Sequence, residues 1–144
     1  MTTPLTRTLG KFIAELRYEQ IPAEALSVIH MGFTDCVGVM IAGRNEPAPQ
    51  KLKLALAPAP GEASLLFGEA SASVPEAAWI NGTAAHALDY DDVALRGHPS
   101  TVLVPAILAE AEALGATGRR MVTAYAAGYE TWAELVSRDV DQHH

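Results

Sequence analysis

Residues 81–105 contain the side chains of this sequence that are best suited to chemistry. Two of the chain's five histidines and three aspartates lie within this stretch, although only 19% of all residues are charged. Neighbouring imidazole and carboxylate groups can accept and donate protons near neutral pH. The stretch is therefore the first candidate for a catalytic or binding centre, and its acidic and basic residues are His86, Asp89, Asp91, Asp92, Arg96 and His98.

A helix over residues 76 to about 90 is expected to carry the first part of this centre. Ser73 and Glu76 have the spacing of a capping box, which marks the start of a helix. The small residues at positions 82, 84 and 85 leave room for another backbone. Spacings of three and four would place Gly82, His86, Asp89 and Val93 on one stripe of this helix. The ionisable side chains of His86 and Asp89 would then project into the same space.

A tight turn and a second helix are expected to follow. Gly97 and Pro99 flank His98 in the turn, and Ser100 opens a helix whose free N–H groups favour an anion. Acidic residues at the end of the preceding helix oppose its dipole, and the nearest cations are Arg96 and His98. We therefore predict a pocket that binds a substrate carboxylate and moves a proton, with substrate-binding residues His86, Asp92, Arg96 and Ser100.

Each of these residues also has a purely structural interpretation. Asp92 can end a helix or form a turn, His98 can hydrogen-bond a loop carbonyl, and His86 can be a hydrogen-bonded core histidine. Asp89 is harder to explain in this way, because a carboxylate within an apolar stripe is costly to bury unpaired.

A metal site is the main alternative use of the same residues. A histidine and an aspartate three residues apart, with a second histidine downstream, can supply two imidazoles and one carboxylate. The sequence lacks a His-x-x-x-His pair and a Glu-x-x-His repeat, which disfavours this alternative. It also lacks the glycine-rich nucleotide-binding motifs and the nucleophile elbow of serine hydrolases.

Outside the centre, the hydrophobic pattern predicts a mainly α domain with one short strand. Residues 23–41 are apolar on more than one face, which predicts a helix buried on most sides, with Gly43 as its left-handed cap. Gly115 is expected to end the fifth helix, and Thr117 to cap the sixth. The other predicted elements are helices over 5–17, 49–56, about 100–114 and 117–137, and a strand over 64–67.

Composition excludes several classes of protein. A formal net charge of −7 leaves no basic surface for a nucleic acid. The only cysteine, Cys36, lies in an apolar run and is expected to be a buried, unreactive thiol. The N-terminal residues lack the apolar core of a signal peptide, and no apolar run is expected to reach the roughly 20 residues of a membrane span. We therefore expect a cytoplasmic protein.

Three segments of the chain resemble motifs of the MmgE/PrpD family. The first is NGTAAHALDYDD at 81–92, followed by His98-Pro-Ser and Pro105. The others are DCVGVMIAG at 35–43 and AAGYE at 126–130. The resemblance covers almost the whole chain, and the family includes 2-methylcitrate dehydratase, cis-aconitate decarboxylase and iminodisuccinate epimerase.

The resemblance implies an enzyme without a cofactor or a metal, which acts on a small di- or tricarboxylate by proton transfer beside a carboxylate. By position, Asp89 and His98 match the family's active-site aspartate and histidine. His86 and Asp92 match neighbouring motif residues with supporting roles. Decarboxylase-like members have a threonine where this chain has Val93, which disfavours a decarboxylase and leaves a dehydratase, an epimerase or an uncharacterised activity.

The resemblance also implies that residues 1–144 form the N-terminal part of an all-helical domain, because family members are considerably longer and usually form homodimers. Further active-site groups would lie in a C-terminal part or on a complementing chain, and this chain alone would be inactive. Two other functions stay open, a non-catalytic helical interaction module or subunit and a metal-binding protein. Whether His143 and His144 are native residues also stays open.

Overall fold

The computed structural model describes residues 4–138 and shows a mainly α-helical domain, as predicted. His143 and His144 lie outside the described residues. The elements in chain order are α1 (Leu5–Glu15), a 3-10 helix (Tyr18–Gln20), α2 (Ala23–Gly43), α3 (Pro47–Leu56), β1 (Ala63–Leu65), β2 (Ala70–Ala72), α4 (Val74–His86), α5 (Pro99–Leu114) and α6 (Gly118–Arg138).

Three helix boundaries follow from capping signals that the sequence contains. The Ser73 hydroxyl donates to the Glu76 carboxylate at 2.6 Å, and the Ser73 backbone N–H completes the predicted capping box. Gly115 ends α5 in the left-handed conformation. The Thr117 hydroxyl accepts a hydrogen bond from the Arg120 backbone N–H at 3.4 Å, which confirms it as the cap of α6.

Helix α4 lies at the centre of the domain and packs against both α2 and α5. Its small residues admit these neighbours, as the sequence predicts. A Cβ atom added at Gly82 would lie 3.3 Å from the Thr101 carbonyl oxygen of α5. The core around α4 contains the fully or nearly fully buried side chains of Cys36, Met40, Leu65, Leu66, Ile80 and Val104.

Gly43 has a different role from the predicted left-handed cap. It belongs to α2, and the C-cap residue Arg44 has a right-handed φ of −55°. A Cβ atom at Gly43 would lie 2.1 Å from the Ala84 carbonyl oxygen of α4. The prediction of a left-handed cap is therefore wrong, and glycine is favoured at this position by the close approach of α2 and α4.

Helix α2 is less buried than predicted. Ile29, Cys36 and Met40 face the core, whereas Val28 and Met31 are exposed on the opposite side. The sequence shows that this helix is apolar on more than one face, but hydropathy does not show which of its faces another element covers. The prediction of burial on most sides is wrong for the described part of the chain.

The length and hydropathy of α2 also correct the expectation about membrane spans. The helix has 21 residues and a mean hydropathy of 1.6 over an 18-residue window, so by length and composition alone it could cross a membrane. The core helix of a protein outside the membrane passes the same test, and α2 contributes Cys36 and Met40 to the core of this domain.

The predicted strand is one half of an antiparallel hairpin, in which Ala63 pairs with Ala72 and Leu65 with Ala70. The sequence analysis missed the second strand because it consists of three small residues without a hydrophobic alternation. Asn81 of α4 anchors this hairpin. Its side-chain oxygen accepts from the Leu66 backbone N–H at 2.8 Å, and its side-chain nitrogen donates to the Ser64 carbonyl oxygen at 2.9 Å.

Candidate functional site

The site begins where α4 ends, which is earlier than predicted. The helix stops at His86, and Asp89 has a φ of +53°. Aspartate tolerates this left-handed conformation better than most residues. The predicted stripe with Gly82 and Val93 therefore does not form, and Val93 is exposed.

A tight turn returns the chain to His86. The backbones of Ala94 and Gly97 exchange two hydrogen bonds of 3.0 and 2.9 Å. Arg96 lies exposed in this turn with a φ of +61°, and Gly97 lies so close to Trp132 of α6 that a Cβ atom would be 3.0 Å from its ring. As a result, the imidazole rings of His86 and His98 lie 4.5 Å apart between centroids.

Asp91 lies between these two imidazoles, and the sequence analysis assigned it no role. Its side chain is 0% exposed, and both carboxylate oxygens lie 3.0–3.1 Å from Nδ1 of His86. Nδ1 of His98 lies 2.8 Å from Asp91 Oδ2. This second contact has the distance of an ion pair without the alignment of a hydrogen bond, and this buried nitrogen has no hydrogen-bond partner among the described residues.

The structure also brings together the predicted catalytic pair. Nε2 of His98 lies 4.0 Å from Asp89 Oδ1, so the ring of His98 stands between a buried carboxylate and an exposed one. The Asp89 side chain is 79% exposed, that of His86 51% and that of His98 29%. The cluster of His86, Asp89, Asp91 and His98, which we call the His/Asp cluster, therefore lies open at the surface of the chain.

Asp92 and Ser100 form a helix cap beside the cluster. Asp92 accepts hydrogen bonds from the Ser100 backbone N–H at 3.0 Å and from the Ser100 hydroxyl at 2.9 Å. Because that hydroxyl proton is already used, the Tyr125 hydroxyl donates to Ser100 Oγ at 2.8 Å. The helix N-terminus that was expected to receive a substrate anion is thus occupied by the chain's own carboxylate, which gives Asp92 and Ser100 a structural use.

Cys36 lies behind this cap as a buried thiol, as predicted. Its Sγ donates to the Ser100 carbonyl oxygen at 3.4 Å. Burial, assisted by the negative charges of Asp92, Asp35 and Asp91, raises the pKa of the thiol to about 12. Burial likewise raises the pKa of Tyr125 above its ordinary value.

We expect Cys36 to resist alkylation in the folded protein. With a pKa about three units above the ordinary 9.0, the thiolate fraction at pH 8 falls by about 10³-fold. Iodoacetamide at pH 8 should therefore label the folded chain about 10³-fold more slowly than the urea-unfolded chain, as followed by intact mass. Rapid labelling of the folded protein would contradict this placement of the thiol.

The His/Asp cluster also has the composition of a metal site. One ligand atom from each of its four residues lies within 4.8 Å of all the others. Two imidazoles and two carboxylates suit zinc and several other divalent transition metals. The same groups suit proton transfer, because an imidazole next to an exposed carboxylate can take a proton from a bound molecule and return it.

Comparison with known proteins supports the family resemblance. Residues 7–144 match the model of the MmgE/PrpD N-terminal domain, which covers nearly the whole chain and all residues of the His/Asp cluster. A search of curated protein sequences gave no significant match.

Proposed function

Because the chain belongs to the MmgE/PrpD family, of which it contains the N-terminal domain, we propose that it carries part of the active site of a lyase or isomerase for small di- or tricarboxylates. The family is one of dehydratase-like lyases. The observation that supports the proposal for this chain is the position of His98, whose Nε2 faces Asp89 while its Nδ1 faces the buried Asp91.

In the proposed reaction, Nε2 of His98 accepts a proton from the carbon beside a substrate carboxylate. The C–H electron pair then forms a C=C bond, and the neighbouring hydroxyl leaves as water with a proton from an acid. In an epimerase, proton removal instead leaves a carbanion beside the substrate carboxylate, and this carbanion takes a proton from an acid on its opposite face. Val93 offers no hydroxyl at the position where decarboxylase-like members have threonine, so we favour dehydration or epimerisation.

Arg96 and His86 are the groups we propose for the substrate carboxylates. Arg96 lies exposed in the turn before His98, and more than half of the His86 side chain is exposed. Ligand sites usually bury most of a small ligand, whereas this cluster is open. We therefore propose that a second copy of the chain, or a further part of the polypeptide, closes the site. We also propose that the protein works in the cytoplasm.

Carboxylate binding tests the proposal on the chain itself. Citrate, 2-methylcitrate and malate, added to ¹⁵N-labelled protein, should shift amide signals of residues 86–98 and leave α1 and α3 unchanged. Acetate at equal ionic strength and glycerol are the matched controls. Shifts that are equally large with acetate, or that stay absent once the closed site is assembled, would count against a di- or tricarboxylate site.

Hydrogen exchange tests the reaction. The assembled enzyme in D₂O should replace a substrate proton beside a carboxylate by deuterium, with or without loss of water, as followed by proton NMR. An assembled protein that binds these acids but catalyses neither exchange nor elimination would refute the enzymatic part of the proposal.

A metal-binding function is the second candidate, because the four ligand atoms of the His/Asp cluster already lie close together. Protein purified without chelators should then contain stoichiometric metal by elemental analysis, and His98→Gln should remove it, whereas the exposed His30 of α2 offers a control in His30→Gln. Metal-free protein that also fails to bind added zinc would exclude this candidate.

A further inference from the structure

The loop between α4 and α5, residues 87–98, has a backbone that its own sequence does not favour. We call it the His98 loop. The two central residues of its tight turn, Leu95 and Arg96, have φ values of +49° and +61°. Two left-handed central residues are the mark of a type I′ turn, which is normally built from glycine, asparagine or aspartate. Contacts from outside the loop must therefore hold this conformation in place.

Tyr125 of α6 is connected to the His98 loop by two successive hydrogen bonds. Its hydroxyl lies 2.8 Å from Ser100 Oγ, which in turn lies 2.9 Å from Asp92 Oδ2. Because an ionised carboxylate only accepts, the Ser100 hydroxyl donates to Asp92 and the Tyr125 hydroxyl donates to Ser100. Burial raises the pKa of Tyr125, which keeps its hydroxyl protonated as a donor. The bond from Tyr125 thus fixes the orientation in which Ser100 holds the loop.

The packing of α2 and α6 makes room for this connection. A Cβ atom added at Gly32 of α2 would lie 2.8 Å from the Tyr125 hydroxyl oxygen and 3.1 Å from Ser100 Oγ. Trp132 lies seven residues after Tyr125, on the same face of α6, and its ring packs against Gly97 in the tight turn. Helix α6 therefore supports the loop at two separate points, through Ser100 and under Gly97.

We infer that Tyr125 is a positioning residue, which holds the His98 loop, and with it His98, through Ser100 and Asp92. For catalysis this inference rests on the proposed function, in which His98 is the base, but the position of the loop does not. Loss of the Tyr125 hydroxyl leaves the Ser100 hydroxyl free to turn, so its bond to Asp92 should loosen and the loop should shift. A tyrosine that only fills the core would stabilise the domain without this effect.

Amide NMR of the chain without substrate tests the inference with Tyr125→Phe, which removes the hydroxyl and keeps the ring. The amide signals of residues 92–98 should move. Exchange of the Ser100 amide proton, which is bonded to Asp92, should accelerate by about 5-fold, the effect of one neutral hydrogen bond. Tyr129→Phe makes the same change one turn along α6, where the two tyrosine rings stack at 6.0 Å between centroids. This control should leave the loop signals and the Ser100 exchange unchanged.

Gly32→Ala disturbs the same contact without removing the hydroxyl, and it keeps the inference testable if Tyr125→Phe does not fold. The added Cβ should push the Tyr125 hydroxyl away from Ser100, so the same amide signals should move. Gly38→Ala is its control in the same helix, because an added Cβ there meets nothing within 4 Å. This second control should leave the loop signals in place.

Unchanged loop signals and Ser100 exchange in a folded Tyr125→Phe or Gly32→Ala chain would refute the inference, as would equal changes in the control variants. A lower free energy of unfolding with the loop signals in place would show that Tyr125 only stabilises the core. In the active enzyme, Tyr125→Phe should lower kcat/KM by about 10-fold through the misplaced base, and Tyr129→Phe should not. The expected amide changes in a protein without turnover would leave this inference standing and refute the proposed function instead.

Discussion

Replacement of His98 by glutamine is expected to lower kcat/KM of the assembled enzyme for its carboxylate substrate by about 10²- to 10⁴-fold. Glutamine keeps a polar side chain of similar length in the turn but offers no base at the position of Nε2. The His98 side chain is 29% exposed and belongs to a loop, so the helical core should stay folded. Initial rates and a urea unfolding curve of the same preparation measure the two effects separately.

Asp89→Asn tests the other residue of the predicted catalytic pair, and His30→Gln is the control for both variants. Asp89 is the exposed carboxylate that faces Nε2 of His98, so its neutralisation should also impair kcat/KM strongly. His30 is an exposed histidine of α2 outside the His/Asp cluster, and its replacement should change neither activity nor stability. Near-normal rates in both cluster variants would discredit the site. If the wild-type protein shows no activity and the two variants lose stability or assembly, the result would favour the helical interaction module.

Sequence signals were sufficient for three helix boundaries that depend on neighbouring residues. The capping box of Ser73 and Glu76, the left-handed Gly115 and the Thr117 cap are local interactions, and each lies at its predicted place. Asp89 and His98, the predicted catalytic pair, also lie close together, with Nε2 of His98 4.0 Å from Asp89 Oδ1. Their roles stay predictions, which rest on the resemblance to the family.

Sequence signals failed where distant parts of the chain decide the structure. The turn that brings His98 back to His86 packs Gly97 against Trp132 of α6, a contact that periodicity cannot show. For the same reason Asp91 received no role. Three carboxylates within four residues are a visible signal, but only the early end of α4 reveals that the middle one turns inward.

The sequence also does not show whether the N-terminus of α5 is free or occupied. Ser100 opens a helix as predicted, and the sequence shows its free N–H groups as a potential anion site. The structure fills this place with Asp92, eight residues earlier in the chain. Whether such a helix end binds a ligand or an internal carboxylate depends on the path of the loop, which composition does not determine.

Gly43→Ala is expected to destabilise the domain by about 3 kcal/mol, one of the largest effects of any single methyl group in this chain. The new Cβ would lie 2.1 Å from the Ala84 carbonyl oxygen, which is a backbone atom of the neighbouring helix. Relief requires α2 and α4 to separate, because neither backbone can turn aside as a flexible side chain does. Urea unfolding followed by circular dichroism measures the change.

Gly38→Ala is the matched control, since Gly38 lies in the same helix and an added Cβ there meets nothing within 4 Å. Alanine should stabilise this position by about 0.5–1 kcal/mol, because it favours the helix more than glycine does. The two variants make the same substitution at different positions, so changes in stability of opposite sign isolate the contact between the helices.

Because α4 ends at His86, separation of α2 and α4 should also displace this imidazole from Asp91. In ¹⁵N spectra, a folded Gly43→Ala chain should therefore show a changed His86 ring signal. An unchanged signal together with wild-type stability would show that the packing of α2 against α4 does not depend on glycine at position 43.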